Sequence, residues 1–167
     1  MEIYRGKRLV VERSLFPLPD GREREAVVVR PGGAVVILPM DGDFCYLIRQ
    51  WRFAIGEYII EAPAGTMEPG EDPIETARRE LIEEAGIAAG ELIPRGYIYT
   101  TPGFTDERIH LFEAHDLSPS RDHLPDDDEI IEPVRVPVTE VMRMIRDGEI
   151  VDAKTIAVIT RCLGRSD

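Results

Sequence analysis

The chain has 167 residues, of which 43% are hydrophobic and 31% charged, enough for one compact domain with a complete core. A net charge of −12 excludes the clustered basic surface that nucleic-acid binding needs, and no run approaches the roughly 18 apolar residues of a membrane span. With no secretory pattern in Met1–Arg5, the expectation is a cytoplasmic protein with neither nucleic acid nor membrane as partner.

In chain order, residues 7–15 and 24–30 read as two strands joined around Pro19-Asp20-Gly21, a turn signal. Ala34–Leu38 is a buried strand by its apolar run, and Asp41-Gly42-Asp43 turns the chain into a further strand, Phe44–Gln50. Tyr58–Glu61 is a short strand. Asp72 as N-cap and Pro73 at the first helical position open a helix that runs to about Ala85, closed by Gly86. Strands follow near 91–100, 107–113 and 130–136, then helices over 138–147 and 152–163 with Gly148 between them. Strands, helix, strands and helices in this order predict an α+β fold with a mixed sheet. Cys45 and Cys162 are expected to be buried, reduced thiols, and His110, His115 and His123 have no metal-ligand spacing.

The chemistry is concentrated in Gly65–Ile87, GTMEPGEDPIETARRELIEEAGI. Glu80 and Glu84 lie four residues apart, on one helical face, with Glu83 at its edge, while Ala77, Leu81 and Ala85 make the opposite, core-facing stripe. Like charges at this spacing cost a helix a few tenths of a kcal/mol, and a cation among them reverses the sign. The alternative is a solvated face laced by Glu75–Arg79–Glu83 pairs. A divalent cation also reconciles an acidic protein with an anionic substrate, because carboxylates hold hard cations that in turn bind phosphate oxygens.

This segment resembles the Nudix box, G-x5-E-x7-R-E-U-x-E-E-x-G-U, where U is bulky and aliphatic. Gly65, Glu71, Arg79, Glu80, Leu81, Glu83, Glu84, Gly86 and Ile87 fill every specified position. From average residue usage, the chance of such a match at a given position is on the order of 10⁻⁹. The resemblance implies a Nudix fold over 1–167, with a mixed β-sheet sandwiched between helices. Residues 1–30 form an N-terminal antiparallel strand segment, which dimers of this kind exchange, and 31–167 the catalytic core. It implies Mg²⁺, with Mn²⁺ as the other candidate, held by Glu80, Glu84 and the carbonyl of Ala64. Glu83 is a ligand or water-holder, Arg79 orients the glutamates, Glu71 braces the loop, and Gly65 permits close backbone geometry.

Three further segments resemble ADP-ribose pyrophosphatases. They are Thr101-Pro102-Gly103, whose proline follows Ile87 by fifteen residues, Arg49-Gln50-Trp51-Arg52 ahead of Glu61-Ala62-Pro63-Ala64-Gly65, and Tyr4-Arg5-Gly6. The likeness implies a small-molecule nucleoside diphosphate derivative as substrate, ADP-ribose, cut to AMP and ribose 5-phosphate by a homodimer. Arg52, Gly65, Thr101 and Gly103 then bind substrate, and Glu129 of the acidic loop 125–132 is the general base, with Asp127 and Glu132 as alternatives. Two features depart from the pattern. Lys7 and Arg8 stand where some relatives place an adenine-stacking aromatic, and Thr101 replaces a serine. The competing readings are a Nudix hydrolase of another nucleoside-diphosphate sugar or dinucleoside polyphosphate, and a non-catalytic nucleotide-binding regulatory module.

Overall fold

The computed structural model describes residues 1–120 and 131–164. Ten strands and three helices are assigned among them. The N-terminal segment forms its own antiparallel sheet in the order β1-β2-β3, from β1 (Glu2–Arg5), β2 (Val10–Pro17) and β3 (Glu23–Arg30). The expected strand over 7–15 begins later than its pattern suggests. β1 folds back on β2 with Tyr4 opposite Val11 and Arg5 opposite Val10, so residues 6–9 must turn, and the Gly6 N–H donates to the Leu9 carbonyl at 2.9 Å. That turn carries Lys7 and Arg8.

The main sheet is built on β4 (Gly33–Asp41), which runs parallel to β9 (Arg108–Pro119) and antiparallel to β5 (Phe44–Arg52). Beyond these lie β10 (Ile131–Pro137) on β5 and β8 (Ile87–Tyr99) on β9, with β6 (Glu57–Glu61) added to β5 and the short β7 (Ala64–Thr66) to β4. One parallel pair among antiparallel ones makes the sheet mixed, as expected. β8 starts immediately after the first helix, not near 91, because Ile87, Ala88 and Ala89 pair with Pro119, Ser118 and Leu117. Their own sequence carries little strand signal, and the partner supplies it.

Alternation along β4 divides the core. Val35 and Ile37 join one apolar cluster with Ala77, Leu81 and Ala85 of α1 (Pro73–Ala85). Val36 and Leu38 join the other, with Val141 of α2 (Val138–Arg146) and Val158 and Ile159 of α3 (Ala153–Leu163). A strand buried on both faces reads as a continuous apolar run. The sheet is thus layered between α1 on one side and α2 and α3 on the other. Cys45 is buried and Cys162 half-buried, both as free thiols, and burial pushes them up to about 11 and about 12 respectively.

Candidate metal and diphosphate site

α1 is fixed locally at both ends. Asp72 accepts from the Ile74 N–H at 3.0 Å, Pro73 sits in the first turn, and Gly86 adopts the left-handed conformation (φ 65°) as its N–H caps the Ile82 carbonyl. Leu81 and Ala77 are wholly buried against the sheet, which fixes the rotation of the helix. Glu80 and Glu84 are therefore turned toward β7 and are themselves buried, 9% and 3% exposed. The solvated-face alternative does not describe them. Glu75 pairs outward with Arg78, whereas Arg79 turns inward.

Arg79 ties the cluster together. One guanidinium nitrogen donates to Glu80 Oε1 at 2.7 Å and to Glu83 Oε2 at 2.9 Å, while the others reach both carboxylate oxygens of Glu71 and the Thr66 carbonyl. Glu71 also accepts from the Glu68 N–H at 2.9 Å, and with Arg79 beside it the Glu71 carboxyl is held down at about 2. Glu84 accepts from the Ala64 N–H at 2.7 Å. Gly65, opposite Val35 in the β4–β7 ladder, lies so close to Glu80 that a Cβ built there meets the carboxyl carbon at 1.8 Å. Only a residue without a side chain lets that carboxylate lie against the strand.

A cavity of about 710 Å³ opens here, lined by Ala64, Gly65, Arg79, Glu80, Glu83 and Glu84 on its acidic side. The same cavity is lined by Arg52, Lys154 and the turn residues Lys7 and Arg8. Arg52 grips the fully buried Glu61 through Nε at 2.5 Å and Nη2 at 2.7 Å, and Lys154 bonds the same Glu61 Oε2. Burial pushes the Glu61 carboxyl up, but the hydrogen bonds and charges of these two cations outweigh it and hold the group below its usual value.

Six sequence-predicted residues, Glu80, Glu83, Glu84, Arg79, Ala64 and Gly65, thus line one cavity together with Arg52. Thr101 and Gly103 lie in an exposed turn in which the Thr101 carbonyl accepts from the Phe104 and Thr105 N–H groups, and neighbouring Thr100 lines the cavity instead. Glu129 and Asp127 lie outside the described residues; Glu132 is in β10, where it meets Arg49 at 3.5 Å. Glu61, Asp152 and Lys154 were missed by sequence reasoning. Their only local signal is Asp152-x-x-Thr155, an N-cap pattern that says nothing of what the helix start faces.

The donor set fits a hard divalent cation: clustered carboxylate oxygens, two of them buried, with a glycine-backed recess beside Glu80. Among the described residues no three His, Cys, Asp or Glu side chains already gather about one point, since Arg79 spans Glu80 and Glu83.

The family model of the NUDIX domain matches residues 29–158. The chain belongs to the Nudix family. It is 35% identical over 160 residues to the ADP-ribose pyrophosphatase of Bacillus subtilis, covering 95% of this chain and 86% of that protein. It is 32% identical to the methanol dehydrogenase activator of Bacillus methanolicus, with the same coverage. A crystal structure of an ADP compounds hydrolase superposes with a TM-score of 0.84 at 27% identity, covering 97% of this chain and 88% of that one. The Nudix sandwich expected from the sequence is the fold observed, and enzymes of the family generally require a divalent metal.

Proposed function

We propose that this Nudix domain hydrolyses the diphosphate bridge of ADP-ribose, giving AMP and ribose 5-phosphate. The observation that carries the reading is the pair of buried carboxylates, Glu80 and Glu84, set one helical turn apart on the wall of a cavity and backed by Gly65. Two carboxylates buried side by side at a cavity suit a hard divalent cation, and a cation held there suits phosphate oxygens. The identity to an ADP-ribose pyrophosphatase over nearly the whole chain selects the substrate.

Glu80, Glu84 and the Ala64 carbonyl hold Mg²⁺, with Mn²⁺ as the alternative. A divalent ion bound there would supply charge neutralisation at the diphosphate and a lowered pKa for the attacking water. Arg79 keeps Glu80 and Glu83 in register through its shared nitrogen, and Glu71 and the Thr66 carbonyl hold Arg79 in turn. Arg52, aimed by Glu61, donates to a phosphate oxygen of the substrate. Glu129 removes the proton from water as it attacks phosphorus, and the bond to the bridging oxygen breaks. The exposed apolar side chains of Tyr4, Leu15 and Val27, which share one face of the β1–β3 sheet, support a homodimer that pairs through the 1–30 segment.

With Mg²⁺, the protein releases AMP and ribose 5-phosphate from ADP-ribose at a higher kcat/KM than it shows on GDP-mannose. Glu84→Gln keeps an oxygen to accept the Ala64 N–H, so the fold stands while turnover drops by roughly 10³-fold or more, the several kcal/mol a metal supplies to the transition state. Product chromatography with both proteins checks this. A wild-type protein inert on a panel of diphosphates, yet binding them, would make it a nucleotide-binding module.

A further inference from the structure

The chain contains two lysines, Lys7 and Lys154, and both line the cavity. Lys154 comes from the first turn of α3, far in sequence from the Nudix box, and its side chain is only 16% exposed. Its ammonium bonds Glu61 and reaches Asp152 Oδ2 at 3.0 Å. Asp152 is otherwise occupied by the Thr155 N–H at 2.9 Å and the Thr155 hydroxyl at 2.6 Å, and that hydroxyl accepts from the Ala62 N–H at 2.8 Å. α3 is therefore pinned to the end of β6 by a chain of hydrogen bonds that leaves Lys154 little freedom.

Counting donors decides what this arrangement is for. An ammonium has three N–H groups and a guanidinium five. Lys154 uses two, on Glu61 and Asp152. Arg52 uses two, both on Glu61. The two cations meet at the same oxygen, Glu61 Oε2, so their remaining donors stand side by side, and both residues line the cavity. Among the described residues no acceptor meets those remaining donors. The start of α3 adds the positive end of a helix dipole at the same wall. Adjacent cationic donors with N–H groups to spare, on a cavity also lined by Glu80, Glu83 and Glu84, suit the unbridged oxygens of a phosphate group.

We propose that Lys154 is a substrate-binding residue of this site, holding with Arg52 a phosphate of the nucleoside diphosphate, and that Glu61 is the positioning residue that aims both. The proposal rests on reading the cavity as the diphosphate site. A purely structural Lys154 would tie α3 to β6 and leave ligand affinity alone.

The probe is α,β-methylene-ADP, whose P–C–P bridge resists hydrolysis, titrated with Mg²⁺ by calorimetry. Lys154→Gln retains an N–H for Glu61 but removes the charge, and its Kd rises about 10- to 100-fold, the range of one charge-assisted hydrogen bond. Lys154→Arg recovers most of that loss. A second measurement needs no variant at position 154: in wild-type protein labelled with lysine ¹³Cε, Lys7→Gln identifies the Lys7 signal, and the analogue shifts the other. An unchanged Kd in Lys154→Gln, or a Lys154 signal that stays in place as the analogue binds, overturns the role of Lys154 alone. A wild-type protein that fails to bind the analogue overturns the reading of the whole cavity as well.

Discussion

Gly65 and Glu80 show how a functional site is written into packing. The carboxylate of Glu80 fills the volume a Cβ at Gly65 would take, at 1.8 Å from the built atom. The atom in the way is the far end of a flexible side chain, not backbone, so Gly65→Ala costs little stability. It forces the Glu80 carboxylate away from the position proposed for the metal ion instead, and a displacement near 1 Å is worth about 100-fold in rate. The expected outcome is a melting temperature close to wild type with turnover of ADP-ribose down by about that factor, measured side by side. A fall in stability with turnover intact would mean that Glu80 need not lie against β7. The glycine requirement was legible in the box resemblance; the carboxylate that imposes it was visible only once β7 and α1 lay against each other. Glu61 is the opposite case. In sequence it is an acid closing a short strand, and nothing local marks it as fully buried between an arginine nine residues back and a lysine 93 residues on.

At the scale of elements, α1 is the part most fully determined by its own residues. The Asp72 cap, Pro73, the Ala77–Leu81–Ala85 stripe and Gly86 all agree, and the observed Pro73–Ala85 helix matches the expected one. Asp72 does not line the cavity, so Asp72→Ala tests the helix apart from the chemistry. Losing the bond to the Ile74 N–H costs about 1 kcal/mol. Denaturant unfolding should record that loss while kcat at 25 °C holds. A collapse of activity in folded protein would show that the first turn of α1 sets the geometry of Glu80 and Glu84 more tightly than packing against β4 does. The strands are less self-sufficient. β8 gains its first residues from β9, and β7 exists as three residues because β4 offers it a ladder. Strand pairing is decided by the partner, so single-sequence patterns place strand centres and miss ends.

For the molecule as a whole, a net charge of −12 coexists with a cavity lined by both signs, Glu80, Glu83 and Glu84 as well as Lys7, Arg8, Arg52 and Lys154. The N-terminal sheet meets the rest of the domain where the Val29 N–H donates to the Phe104 carbonyl at 2.8 Å, and it leaves Tyr4, Leu15 and Val27 57%, 56% and 47% exposed on a common face. If two copies cover that face, light scattering gives twice the chain mass of 18.8 kDa, and Leu15→Glu with Val27→Glu returns it to the single value. A wild-type protein that stays at the single mass at micromolar concentration removes the dimer from the model of the site. The sequence by itself determined the layer type, the helix that carries the carboxylates and the residue spacing that puts Glu80 and Glu84 on one face, because caps, helical periodicity and apolar runs act over a few residues. Tertiary structure alone decided which charges are buried and which cations face them. Arg52, Glu61 and Lys154 meet through the pairing of β5 with β6 and the docking of α3, and such contacts between distant segments leave no local trace in the chain.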